Sequence, residues 1–461
     1  MRRSLLLASL ILLSFTFDAC TTFLFWEKPS YIKVDGAQFI YDSKPIYFEG
    51  TNLWYGCYLG SSGTTGDRTR LIRELNDLKS LGITNLRVLG ASEESYIENS
   101  LKPAIQIQPG IYDENLLDGL DFLLSEMHKR DMHAVIFLNN YWEWSGGMAQ
   151  YNDWANGGGG IDAANGNYAS FMDYSATFYA NKKAQNLFYN YVFRVITRMN
   201  KYSGYYYCED PTIMAWELAN EPRPGRDDKY LAEDYHWIDS TAHFIHSIDP
   251  NHLVTTGNEG LVGSLEDSTI YIEAQGSKYI DYITFHLWPK NWGWFNAKDI
   301  SDTYSRTETN AIKYIDQHIA LARMIGKPTV MEEFGIPRDS ELCDPGTPTT
   351  ARDTYYRKIF GLVYDSAAAG GPIAGTNFWG WGGEGRPQHP DDKWRPGDDF
   401  TGDPPQELQG LNSIFNVDTT SLEILKAHAE KMKTLSDTMR ILVEMNTGNN
   451  RAQDSTIRSG K

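Results

Sequence analysis

Two short stretches of the chain end in glutamates that follow apolar runs: WELANEPR, from Trp216 to Arg223, and MEEFG, from Met331 to Gly335. Glu221 in the first stands beside Asn220, with Pro222 stiffening the turn that follows. The second offers Glu332 and Glu333. A pair of carboxyl groups can act on one bond from two sides: one protonates a leaving oxygen while the other attacks or activates water. Glycosidic bonds are cut this way. Such a pair has to sit at the ends of two strands that share one open face, so the elements between the stretches decide whether they meet.

Eight strand candidates can be read along the chain. They are IYFEG (from Ile46), ITNLRVLG (from Ile83), HAVIFL (from His133), TIMAWEL (from Thr212), HLVTT (from His252), YITF (from Tyr282), PTVMEE (from Pro328) and PIAGTNFWGW (from Pro372). Helical periodicity falls between them. Asp67 is placed to cap a helix carrying Leu71, Leu75 and Leu78 on one face and stopped at Gly82. Other helices are expected near Asn115–Asp131, Lys183–Lys201, Tyr230–Asp249, Thr303–Met324 and Ala351–Ala369, with a last one from about Ser421. The signal between the fifth and sixth strands is weak. This alternation predicts an α/β fold, a (β/α)8 TIM barrel, as a single catalytic domain over 31–440. An N-terminal β-hairpin with Asp35-Gly36 as its turn precedes it. Long loops follow strand 3 (Asn139 to about Ala180) and strand 8 (Gly380 to about Pro405). Both leave the C-terminal ends of strands, where barrel enzymes build their sites. The polar residues 447–461 read as a disordered tail.

The formal net charge of −18 argues against nucleic acid and against an anionic membrane surface, since both need a positive footprint. A neutral substrate fits better, and 13 Trp, 28 Tyr and 20 Phe supply rings on which one could stack. Arg2 and Arg3 precede an apolar run from Leu5 to Phe17, too short to span a bilayer, so residues 1–20 read as a signal peptide. Cys20 follows Ala19 where cleavage is expected, as in a bacterial lipoprotein signal, although Phe17 and Asp18 depart from the usual pattern. Two outcomes stay open: ordinary secretion, or a lipid anchor at Cys20 on the extracytoplasmic side. Cys57, Cys208 and Cys343 make at most one bridge and show no metal-ligand spacing. No phosphate-cradling loop stands out, and the four glycines Gly157–Gly160 read as a surface segment. No cofactor, no metal and a monomer are expected.

Asn-Glu-Pro after the fourth strand and Glu-Phe-Gly after the seventh resemble glycoside hydrolase family 5. The similarity runs from about Tyr31 to Met439 and is nearest to its β-mannanase subfamily, through GTNLWYG, LRVLG, FLNNYWEWSGG, NEPR, FHLWPKNW, EEFG and FWGWGG in that order. The resemblance implies that Glu221 is the acid/base and Glu333 the nucleophile. Because side chains alternate across a strand, Glu332 is then a buried or outward carboxylate. It also implies that Asn220 holds the sugar 2-hydroxyl and that Arg87 keeps Glu333 ionised. His286 would sit between the two carboxylates, and Trp379 would form the floor under the sugar being cleaved. Arg223 would bind on the leaving-group side. Asn140 stands where many members have histidine, the mannanase-like choice, and joins the substrate-binding set with Trp54 and Trp142. Trp144, Trp292 and Trp381 are further subsite candidates. Trp288 replaces the tyrosine that many members place two residues after the sixth-strand histidine, and its indole N–H could donate to the nucleophile instead. As proton donor, Glu221 should have a pKa raised relative to Glu333.

The activity these roles imply is an endo-acting, retaining β-1,4-mannanase on mannan, glucomannan or galactomannan. An endo-β-1,4-glucanase or an exo-acting β-mannosidase on the same barrel is an alternative, because function lives in the site rather than the fold. A non-catalytic polysaccharide-binding protein would have little reason to keep both glutamates.

Overall fold

A computed structural model describes residues 29–163 and 167–458, with side chains as far as residue 441. Its centre is eight parallel strands: β1 (Phe48–Asn52), β2 (Asn85–Leu89), β3 (His133–Phe137), β4 (Ile213–Glu217), β5 (Leu253–Thr255), β6 (Ile283–Leu287), β7 (Thr329–Phe334) and β8 (Ile373–Phe378). They pair in the order β5-β4-β3-β2-β1-β8-β7-β6. Across the remaining seam Asp281 N donates to Val254 O at 2.8 Å, His286 N to Glu259 O at 3.0 Å, and Thr255 Oγ1 to Tyr282 O at 2.9 Å. These bonds close the barrel. The strands read as near-continuous apolar runs because side chains on one face fill the barrel and those on the other meet helices.

The helices that follow the strands are α1 (Arg68–Ser80), α2 (Glu114–His128), α3 (Lys182–Ile196), α4 (Leu231–Ile248), α5 (Ser268–Gln275), α6 (Ile300–Ile325), α7 (Thr350–Ala368) and α8 (Thr419–Arg458). Their starts follow local chemistry. Asp67 Oδ1 accepts from Arg70 N at 2.9 Å, so the expected cap of α1 is present, and Leu71, Leu75 and Leu78 lie buried on its inner face. The weak signal between the fifth and sixth strands is explained by α5, which has only eight residues.

Three expectations need correction. The N-terminal hairpin is a three-stranded antiparallel sheet, Lys33–Asp35, Gln38–Tyr41 and Lys44–Ile46. A second tight turn at Asp42-Ser43, both at positive φ (50° and 64°), splits a third strand from what had read as the start of the first barrel strand. The insert after β8 runs past Pro405 to Asp418, where α8 begins. The polar stretch from Thr447, expected to be a disordered tail, has helical backbone as far as Arg458, since no proline interrupts it. Residues 1–20, including Cys20, lie outside the described residues.

Both long inserts fold over the C-terminal ends of the strands. The one after β3 carries two short helices, Gly147–Asn156 and Tyr168–Ala176. The one after β8 lays a two-residue strand, Ile414–Phe415, beside Trp381–Gly383.

Candidate active site

A cleft of about 580 Å³ opens at this face. Glu221 and Glu333 line it, and one oxygen of each lies with His286 Nδ1 in a group whose atoms are all within 4.8 Å of one another. That separation matches the ~5–5.5 Å of double displacement rather than the ~6.5–9.5 Å of inversion.

Each glutamate is held by groups from several strands. Glu333 Oε1 forms a short ion pair with Arg87 Nη1, and Glu333 Oε2 accepts the Trp288 indole N–H at 3.1 Å. Trp288 therefore supplies the donor expected in place of tyrosine. The Arg87 guanidinium, fully buried and borne by the middle residue of β2, also grips Glu217 through Nε (2.8 Å) and Nη2 (2.5 Å) and donates to Asn220 Oδ1 at 2.8 Å. Gly257, at φ +76°, leaves room for this pair, since a Cβ there would fall 2.2 Å from Glu217 Oε1. Its carbonyl accepts from Glu221 N at 2.9 Å. Glu221 itself sits at φ +51°, a left-handed conformation that a non-glycine residue holds only when its surroundings fix it.

The register slips between Phe285 and His286, so that Phe285 pairs with Met331 but His286 with Glu333. Glu332 is thus the extra, unpaired residue of a bulge on β7. Glu333 enters the cleft, whereas Glu332 is fully buried, accepts from Tyr282 OH at 3.1 Å and lies 3.8 Å from Arg87 Nε.

His286 bridges the two carboxylates as expected, with Nδ1 at 2.7 Å from Glu221 Oε1 and 3.3 Å from Glu333 Oε2. Burial would lower its pKa, but the charge of Glu333 and the bond to Glu221 push it up to about 10. The Glu221 carboxyl responds in the opposite sense. Burial would raise it, yet the hydrogen bond and charge of His286, helped by Arg223 and the Trp142 indole N–H, pull it down to about 2. The expectation of a raised Glu221 pKa is thus corrected.

Other expected residues divide in two. Asn220, Arg223, Trp142, Trp144, Trp288, Trp292 and Trp379 all line the cleft. The Trp379 indole N–H has no partner among the described residues and is free to donate to a hydroxyl. Arg223 pairs with Glu259 through a short bond and lies over the Trp142 ring, 5.0 Å from its centroid. Trp54, Asn140 and Trp381 are not in the lining. Trp54, 1% exposed, donates to Gly402 O at 3.1 Å beneath the insert. Asn140 is fully buried, and its amide oxygen accepts from Asn220 Nδ2 (3.1 Å) and Trp142 N (3.0 Å), so it orients two lining residues without reaching the cleft. Trp381 is also fully buried.

The sequence reading missed Tyr168, Glu259, Gln406 and Glu407, all of which line the cleft, and Glu217 beneath it. Glu217 had a signal: a strand arginine that is to be buried needs more than one carboxylate. Glu259, Gln406 and Glu407 lie on loops and Tyr168 opens a short helix of the insert after β3, with no periodicity to place them.

Comparison with known proteins agrees with this geometry. The family description "GH family 5 beta-mannosidase-like" matches residues 29–437. A glycoside hydrolase family 5 mannosidase from Rhizomucor miehei superposes with a TM-score of 0.82 at 32% identity, covering 89% of this chain and all of that one. An endo-1,4-β-mannanase from the same organism gives 0.64 at 25% identity, covering 88% of this chain and all of that one. Mannan endo-1,4-β-mannosidase 5 of Arabidopsis thaliana is 30% identical over 370 residues, 76% of this chain and 79% of its own length. With its family-wide match and its pair of barrel-borne glutamates, the chain belongs to glycoside hydrolase family 5, in the β-mannosidase-like group, and is a glycoside hydrolase.

Proposed function

We propose that the protein is a retaining, exo-acting β-mannosidase that removes single mannosyl units from the non-reducing ends of β-1,4-manno-oligosaccharides. The carrying observation is the closed end of the cleft. The lining comes from β7 and the loops after β3, β4, β5, β6 and β8, with nothing from those after β1 and β2. There the space is filled by Trp54, Trp144 and Phe400, at 1%, 2% and 4% exposure, with Trp54 set edge-on to both other rings at 5.8 and 5.7 Å. This wall adjoins the floor under the reacting sugar, because Gly402, which accepts the Trp54 indole N–H, lies against Gly380 next to Trp379. Opposite, on the side of Glu221, the lining continues through Arg223, Glu259, Val262 and Trp292. A chain enters with its terminal sugar against the wall and its remainder toward Arg223. The closer superposition on a mannosidase than on an endo-mannanase supports the same reading.

In the mechanism this implies, Glu333 attacks the anomeric carbon while Glu221 protonates the leaving oxygen. Glu221 then draws a proton from water, which releases the sugar from Glu333 with its configuration retained. Asn220, gripped by Arg87 and Asn140, has its remaining amide hydrogen available to the 2-hydroxyl. Arg87 and the Trp288 indole N–H hold the nucleophile in place.

The names of the curated relatives favour a second reading, endo-attack on mannan. Mannopentaose labelled at its reducing end separates the two. Exo-action yields mannose and a ladder that shortens one unit at a time, and leaves galactomannan viscosity almost unchanged. Early mannobiose and mannotriose with a rapid viscosity drop would establish endo-action instead.

A further inference from the structure

The assignment of Glu221 as acid/base raises a question the family resemblance does not answer: which atom can deliver its proton. Both of its oxygens are occupied. Oε1 faces His286 Nδ1 at 2.7 Å, and Oε2 accepts the Trp142 indole N–H at 2.6 Å. The charged groups around it are His286 from β6, Glu333 from β7, Glu259 from the loop after β5, and Arg223 from its own loop. Among the described residues, the insert after β3 meets Glu221 through this neutral N–H.

An indole N–H donates and cannot accept. It therefore binds the carboxylate form of Glu221 and has nothing to offer a protonated Oε2. Its position is fixed from four sides. Trp142 N donates to Asn140 Oδ1 at 3.0 Å, the Arg223 guanidinium lies over one face, Phe171 is stacked at 6.5 Å, and Tyr168 stands edge-on at 6.3 Å. Fixed donors aimed at a charge are worth more than mobile ones.

We infer that Trp142 is a positioning residue for the acid/base. Its N–H stabilises the ionised Glu221 that serves as base in the second step, and gives up Oε2 to the leaving oxygen in the first. It thereby sets the alkaline limit of activity. The inference rests on the reading of Glu221 given above.

Trp142→Phe removes the donor and keeps an aromatic ring against Phe171. On an aryl β-mannoside with a poor leaving group, the alkaline limb of kcat/KM reports the acid/base of the free enzyme. Losing a hydrogen bond to the charged form should move that limb upward by about one pH unit. On a dinitrophenyl β-mannoside, whose departure needs no proton, this limb should be missing from kcat/KM in both proteins, so the shift is confined to the poor leaving group. An unmoved limb, with kcat/KM lowered equally at every pH, would overturn the inference and leave Trp142 a stacking surface. Should Trp142→Phe fold poorly, the indole N–H resonance of Trp142 in the unaltered and Glu221→Gln proteins gives a second test. A downfield position lost in the variant is expected, and identical positions would overturn the inference. Failure of the underlying assignment looks different: Glu221→Gln would keep its turnover.

Discussion

On one side of the cleft, Glu221, His286, Glu333 and Trp379 rise from the ends of β4, β6, β7 and β8; on the other, Trp144, Tyr168, Gln406 and Glu407 arrive on the inserts after β3 and β8. The first group is braced by the barrel itself. Arg87 alone ties Glu333, Glu217 and Asn220 into one buried network reaching β2, β4 and β7. The second group is braced by ring packing, with Trp54, Trp144 and Phe400 wedged beneath the insert. Strand ends fix what bond is broken, and inserts fix which part of a polymer reaches it. Damage to the two regions should therefore have different signatures.

The largest effects belong to the strand ends. Glu221→Gln should lower kcat on an unactivated mannoside by about 10²–10⁴-fold, the range of general acid–base catalysis, with Glu333→Gln lower still. Both proteins should remain folded at the assay temperature, and comparable turnover in either would erase the distinction between the regions. The wall should answer otherwise. Trp144→Ala should cost about 3–5 kcal/mol in urea unfolding, as large-to-small core changes do. It should also open the cleft toward β1 and β2, so that mannobiose appears beside mannose in the early products. A destabilised protein that still releases mannose alone would deny the wall its part in selecting chain ends.

The smallest effect lies in stability against pH. The folded pKa of His286, about 10, stands above its ordinary 6.5. Its contribution to stability is fully present below pH 6.5 and is lost as pH rises through 10. The thermal midpoint should therefore fall across this window. Since Glu333 is the largest cause of the rise, Glu333→Gln should lose its own share at lower pH. Parallel melting curves for the two proteins would argue that the bridge is not charged.

The same division explains what could be read from the residues alone. The catalytic constellation was visible because motifs such as NEPR and EEFG sit directly on strand ends, where eight repeats of strand and helix leave one destination. Trp54 and Asn140 were placed in the cleft for the same reason, but a strand end does not say whether a loop will cover it. Trp54 is covered by Gly402, which lies 348 residues away along the chain. Asn140 spends its amide on Asn220 and Trp142 instead of a sugar. Glu259 and Glu407 carry no periodic signal, and only the folded inserts bring them to the lining. The lowered pKa of Glu221 follows from a contact that no residue type announces, with His286 lying 2.7 Å away.

Proton NMR of the first sugar released from mannotriose, recorded before mutarotation, tests the meeting of Glu221 and Glu333 most directly. Carboxyl oxygens within 4.8 Å fit two displacements, so mannose should appear first as the β-anomer. The α-anomer as first product would mean that water attacks in one step, and would contradict the account.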